Sequence, residues 1–168
     1  AASSDYPLRD VYKRQIKDID YMTLLLLAGL FVVIGGITQA GVIEDIAALF
    51  ASISGSNPFI IFTLVVWVSV FLSAFIDNIP YVATMLPVMA SLSTSLGISP
   101  YLLYFGLLTG ATLGGNLTPI GASANIAGLG ILRKEGYEVT PLQFMKIGIP
   151  FTLVAVISGY LMIWFLWS

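Results

Sequence analysis

Between Ile46 and Leu132 the chain carries one charged side chain, Asp77. It stands in Ile76-Asp77-Asn78-Ile79-Pro80, a polar break between two apolar arms, Pro58 to Phe75 and Tyr81 to Leu96. An ionisable group inside so apolar a stretch is costly, and it marks an ion or proton pathway by default. Asp77 can bind a cation as a carboxylate or carry a proton. The same residues also spell a helix start, with an acidic cap and a proline near the first turn, so capping and ion binding are both open to it. A second break, Gly114-Gly115-Asn116-Leu117-Thr118-Pro119-Ile120-Gly121-Ala122-Ser123, interrupts another apolar stretch. There Asn116, Thr118, Ser123 and Asn125 offer neutral oxygens and amides that can replace an ion's hydration shell without burying net charge. Their other possible work is to satisfy loose backbone groups in a glycine-rich bend. Ser73 lies close enough to the first break to line its tip, whereas Ser69, one turn earlier, suits a bond back to its own helix.

The elements that must position these groups read as membrane helices. A first span covers 21–38, near the length that crosses a hydrocarbon core. Val42, Ile43, Ile46, Leu49, Phe50 and Ile53 recur at helical spacing, which predicts an amphipathic surface helix over 42–54. The arms at 58–96 meet at a tip with a single charge, less than a water-facing loop between full spans usually carries. They read as a re-entrant hairpin, whose non-helical tip is tolerated at depth only where protein or a water-filled cavity surrounds it; the alternative is two full spans, which the charge rule does not separate from it. A discontinuous helix follows over 101–132, unwound in the middle. Unwinding leaves free carbonyls on one side, which favour cations, and free N–H groups on the other, which favour anions. Gly106, Gly110 and Gly114 form a small-residue face for tight helix contact rather than a ligand site. Arg133 to Glu138 is an aqueous loop, Thr140-Pro141 starts a helix, and a last span over 142–167 ends in the interface anchors Trp164 and Trp167. With Lys17 and the group Arg133, Lys134 and Lys146 on the cytoplasmic side, the C-terminus lies outside, in a plasma or bacterial inner membrane.

Composition narrows the classes. Of 168 residues 58% are hydrophobic and 10% charged, against about 25% charged in soluble domains. The expected fold is an all-α polytopic membrane protein, with the lipid bilayer as its first partner. With no Cys and no His, thiol catalysis, disulfides, Cys/His metal centres and the Ser-His-Asp triad are excluded. An intramembrane enzyme would need a second buried carboxylate, so no enzyme activity and no cofactor is expected. A net charge of −2 argues against nucleic acid. Residues 1–15, AASSDYPLRDVYKRQ, read as a translated sequencing adaptor or a polar tail, with the natural sequence resuming near Ile16.

The two break motifs together, SAFIDNIPYVATMLPV (Ser73 to Val88) and GATLGGNLTPIGASANIAG (Gly110 to Gly128), resemble the ion transporter superfamily. The nearest likeness is to its arsenite-pump and pink-eyed-dilution branch, grouped with citrate transporter-like domains. The resemblance runs from about Asp20 to Trp167. It implies two inverted repeats, each with a re-entrant hairpin and a broken helix, of which 16–168 is similar to the C-terminal one. It places Ser73, Asp77 and Asn78 at the hairpin tip, and Asn116, Thr118, Gly121, Ser123 and Asn125 on the unwound loop. Asp77, Asn78 and Asn116 become candidate sodium ligands. Sodium-coupled dicarboxylate relatives carry a Ser-Asn-Thr tip; here only the Asn matches and Asp77 is added, which would repel a dicarboxylate and fits cation/proton exchange or efflux of neutral arsenite better.

The expectation is therefore the C-terminal half of a secondary active transporter, moving an ion or small anion by alternating access with Na+ or H+ as coupling ion. Its partners would be the missing N-terminal repeat and, as a further option, a second copy in a homodimer. The alternative is a non-transporting membrane scaffold or assembly subunit in which both breaks are packing kinks.

Overall fold

The computed structural model describes residues 21–55 and 57–168; the adaptor or tail expected at 1–15 lies outside them. Every regular element described is helical. In chain order these are α1 (Tyr21–Gln39), α2 (Val42–Ser54), α3 (Pro58–Ser73), α4 (Asn78–Leu96), α5 (Pro100–Gly114), a 3-10 turn (Gly115–Leu117), α6 (Ser123–Lys134) and α7 (Pro141–Trp167).

The boundaries have local causes. Gly41, Gly55 and Gly97 adopt positive φ at the ends of α1, α2 and α4, a conformation glycine enters without steric cost. Asn57 caps α3, its Oδ1 accepting from the N–H of Phe59 at 3.0 Å, and Pro58 follows at the first position. Thr140 and Gln143 close a reciprocal capping box at the start of α7, again with proline behind the cap, so two otherwise unpaired N–H groups are satisfied.

By length and composition α4 and α7 can cross a membrane, and α1 with α2 can do so as a pair bent by 68°. The 16 residues of α3 extend about 24 Å, short of the ~30 Å hydrocarbon core. The amphipathic α2 buries Ile43 and Ala47 against α3 and α4, and turns Leu49 and Ile53 outward.

The bundle is centred on α3 and α5, which share its most extensive interface. Gly106, Gly110 and Gly114 make that contact possible. A Cβ on Gly110 would stand 2.7 Å from Ser69 Cβ, and one on Gly114 2.7 Å from Val70 Cα. Small residues let helix backbones touch where lipid offers no hydrophobic drive for association. On one side of this pair, Val65, Tyr81, Met89, Leu92 and Leu103 join α4 and α2 to the core. On the other, Phe62, Val66, Leu102, Val156 and Ile163 join α7, capped by the stacked rings of Phe62 and Tyr160 at 4.9 Å. The hairpin arms are also tied by a buried hydrogen bond between Ser69 Oγ and Tyr81 Oη, 2.9 Å long. By contrast α6 has no buried residue.

Candidate functional site

The helical break at the hairpin tip and the break between α5 and α6 meet. α3 ends at Ser73 and α4 begins at Asn78, leaving Ala74 to Asp77 as the tip. α5 ends at Gly114, the chain makes one 3-10 turn, and after an extended Thr118 it turns through Pro119 and Ile120, the N–H of Gly121 donating to the Thr118 carbonyl at 3.4 Å, before an extended Ala122 leads into α6. Thr118 Oγ1 donates to the carbonyl of Ala74. Ser73 Oγ donates to the carbonyl of Ala111, in the last turn of α5. Both donors are buried. Gly121 sits between the carbonyls of Gly115 and Ala74, and a Cβ there would lie 2.8 Å from the latter. Asn125 reaches back from α6, its Nδ2 donating to Gly115 O at 2.9 Å and Thr118 O at 3.2 Å. An unwound segment packed among helices needs such partners, because buried backbone groups must be hydrogen-bonded.

Four of the eight residues expected at the site, Ser73, Thr118, Gly121 and Asn125, are thus gathered at one junction, where they bind backbone. The other four stand around it. Asp77 is half-buried and caps α4, its Oδ1 accepting from the N–H of Ile79 at a long 3.5 Å. Ser123 is exposed at the first position of α6. The cap residue there, Ala122, offers no side-chain acceptor, but its carbonyl accepts from the N–H groups of Asn125 and Ile126, which leaves those of Ser123 and Ala124 to meet an anion. Asn78 and Asn116 part company. Asn78 faces a cleft of about 740 Å³ between α1, α4 and α5, with Phe31, Val82 and Tyr104. Asn116 faces one of about 990 Å³ between α6 and α7, with Asn125, Gly148 and Phe144. Asp77 lines neither cleft. The sodium set Asp77, Asn78 and Asn116 therefore does not converge on one cavity within this chain. The first residue of α4 and the 3-10 turn leave the junction on different sides.

Among the described residues no three of His, Cys, Asp and Glu lie together; the donors at the junction are neutral oxygens and amides. Sequence reasoning passed over four residues here. Main-chain carbonyls of Ala74 and Ala111 have no signature in residue type. Gly148, on α7, is pressed by the carbonyl of Asn116, a contact only tertiary structure reveals. Thr152, one turn further, is fully buried and looks in sequence like any threonine of an apolar helix.

An all-helical bundle with apolar outer faces and helices able to cross a membrane defines a polytopic integral membrane protein. A family model described as citrate transporter matches residues 9–110, and this chain belongs to that family. It is 38% identical over 151 residues to an uncharacterized transporter of Mycobacterium tuberculosis, the match covering 89% of this chain and 35% of the relative. It is 40% identical over 154 residues to the P protein of Mus musculus, covering 86% of this chain and 18% of that protein, and 33% identical over 151 residues to a 46 kDa membrane protein of Mycobacterium leprae. The chain thus spans about a third of the length of its mycobacterial relatives. No solved structure matches it.

Proposed function

We propose that this chain is the C-terminal part of a secondary active ion transporter, and that its junction of hairpin tip and unwound helix is half of the ion and substrate site. One observation carries the reading: the two interruptions of helix in the apolar sequence pack on each other, through Thr118 and the Ala74 carbonyl and through Gly121. Scattered packing kinks have no need to meet. Juxtaposed helix breaks bring partial charges of both signs to one place without a buried net charge, the device by which membrane carriers hold ions. The cargo is a small ion or anion, moved by alternating access of the elevator or rocking kind and coupled to H+ or Na+, with exchange or efflux favoured by the acidic tip. A preceding repeat supplies the other half, in keeping with the fraction of the relatives that the chain spans. The protein works as a carrier and not as an enzyme. The lysines and arginines put the C-terminus outside a plasma or bacterial inner membrane.

The test is flux through the full-length transporter in proteoliposomes, comparing Asp77→Asn with wild type. Asparagine caps a helix about as well as aspartate, so the substitution removes the charge and keeps the cap. Loss of ion-coupled flux at unchanged thermal stability is the expected result. Unaltered coupling would remove Asp77 from the mechanism. A wild type that moves no ion under any imposed gradient would return the protein to the scaffold reading.

A further inference from the structure

Among the described residues, Thr152 Oγ1 is the one buried side-chain polar atom with no hydrogen-bond partner. The position is unusual within this molecule. Thr38, Thr63, Thr84, Thr94 and Thr112, also in helices, each return their hydroxyl to the carbonyl four residues back. Thr152 does not, although it is fully buried. A buried hydroxyl left without a partner is destabilising, and an apolar interior offers no water to relieve it.

A second orphan lies one helical turn away. Gly148 shares a face of α7 with Thr152, about 6 Å along the axis, and the main-chain carbonyl of Asn116 presses on it so closely that a Cβ would not fit. Among the described residues that carbonyl accepts no hydrogen bond. Pro119, three residues on, has no N–H to give. The unpaired Asn116 carbonyl thus rests on Gly148, and the unpaired Thr152 hydroxyl lies one turn further along the same face of α7. Asn116 and Gly148 also line the α6–α7 cleft, together with Tyr137, Val139 and Glu138, its only charged lining residue.

We propose that Thr152 Oγ1 and the Asn116 carbonyl are ligands of a monovalent cation held between the unwound segment and α7. The inference rests on the reading of the unwound segment as an ion site, and it adds α7 to that site. Neutral oxygens suit an alkali cation; Ca2+ recruits carboxylates, and Mg2+ keeps several of its own waters.

The experiment measures the thermal midpoint of the purified full-length transporter against NaCl, LiCl and KCl, with choline chloride for ionic strength. Wild type should be stabilised by at least one alkali cation. Thr152→Val should need at least tenfold more of it for half the effect, while Thr152→Ser should titrate like wild type. If the valine variant does not fold, Thr152→Ser against Thr152→Ala isolates the same oxygen. A Thr152→Val protein that keeps the wild-type response overturns the proposal. That holds whether the variant is also more stable at every salt, as deletion of an idle hydroxyl would make it, or uniformly less stable, as loss of a bound water would. A wild type indifferent to all three cations overturns the proposal as well, but not the carrier reading, since a proton-coupled carrier need hold no alkali cation; that reading fails only if the full-length protein moves no ion.

Discussion

Replacing Gly110 with alanine tests whether the hairpin and the broken helix are held by backbone contact. The new methyl would stand 2.7 Å from Ser69 Cβ and tighter still against the Val66 carbonyl, where ordinary contact begins at 3.4 Å. The shortfall against Ser69 is about 0.7 Å, and against a carbonyl no rotamer change relieves it; α3 and α5 must separate. Overpacking of this kind costs about 1–3 kcal/mol, and the helix propensity of alanine over glycine returns up to ~1 kcal/mol. A net loss of about 1–2 kcal/mol lowers the folded-to-unfolded ratio roughly five- to thirtyfold. At Gly106 the obstruction is the ring edge of Phe62, 2.8 Å from the built Cβ, and a ring can tilt. Gly106→Ala should therefore be milder, and trimming Phe62 to leucine should relieve it, whereas no side-chain change clears the Val66 carbonyl. The assay is equilibrium unfolding of the full-length protein in mixed micelles, followed by tryptophan emission. If Gly110→Ala is no more costly than Gly106→Ala, close backbone contact does not set the α3–α5 interface and the reasoning fails.

Two further outcomes concern the junction, beside those for Asp77 and Thr152. Thr118→Val keeps the shape and removes the donor to the Ala74 carbonyl, so about 1–3 kcal/mol of stability should go with it; flux should weaken with a raised KM, and Thr118→Ser should restore both. Asn125→Asp removes both donors to the carbonyls of Gly115 and Thr118 and sets a negative charge beside them, so its thermal midpoint should fall below that of Thr118→Val; equal midpoints would show that Asn125 does not hold the unwound segment.

Much of the helical layout was legible because each boundary has a local cause. Asn57-Pro58, Thr140-Pro141 and the glycines at 41, 55 and 97 act within a few residues of themselves. The long apolar runs leave lipid as the only solvent for α4 and α7. The site was legible as a set of residue types at two breaks, and not as geometry. Nothing local says that Thr118 reaches the tip at Ala74, that Ser73 bonds the end of α5, or that Asn78 and Asn116 open on different clefts.

What the sequence by itself determined is the class of molecule: a helical membrane protein with two polar interruptions and one charge between Ile46 and Leu132. Composition and periodicity decide those, since a backbone in lipid must bond to itself. Only the tertiary structure decided which oxygens stay unpaired. That depends on how α3, α5 and α7 approach through Gly110, Gly114 and Gly148, and an approach between helices far apart in sequence is fixed by packing rather than by any residue's own preference.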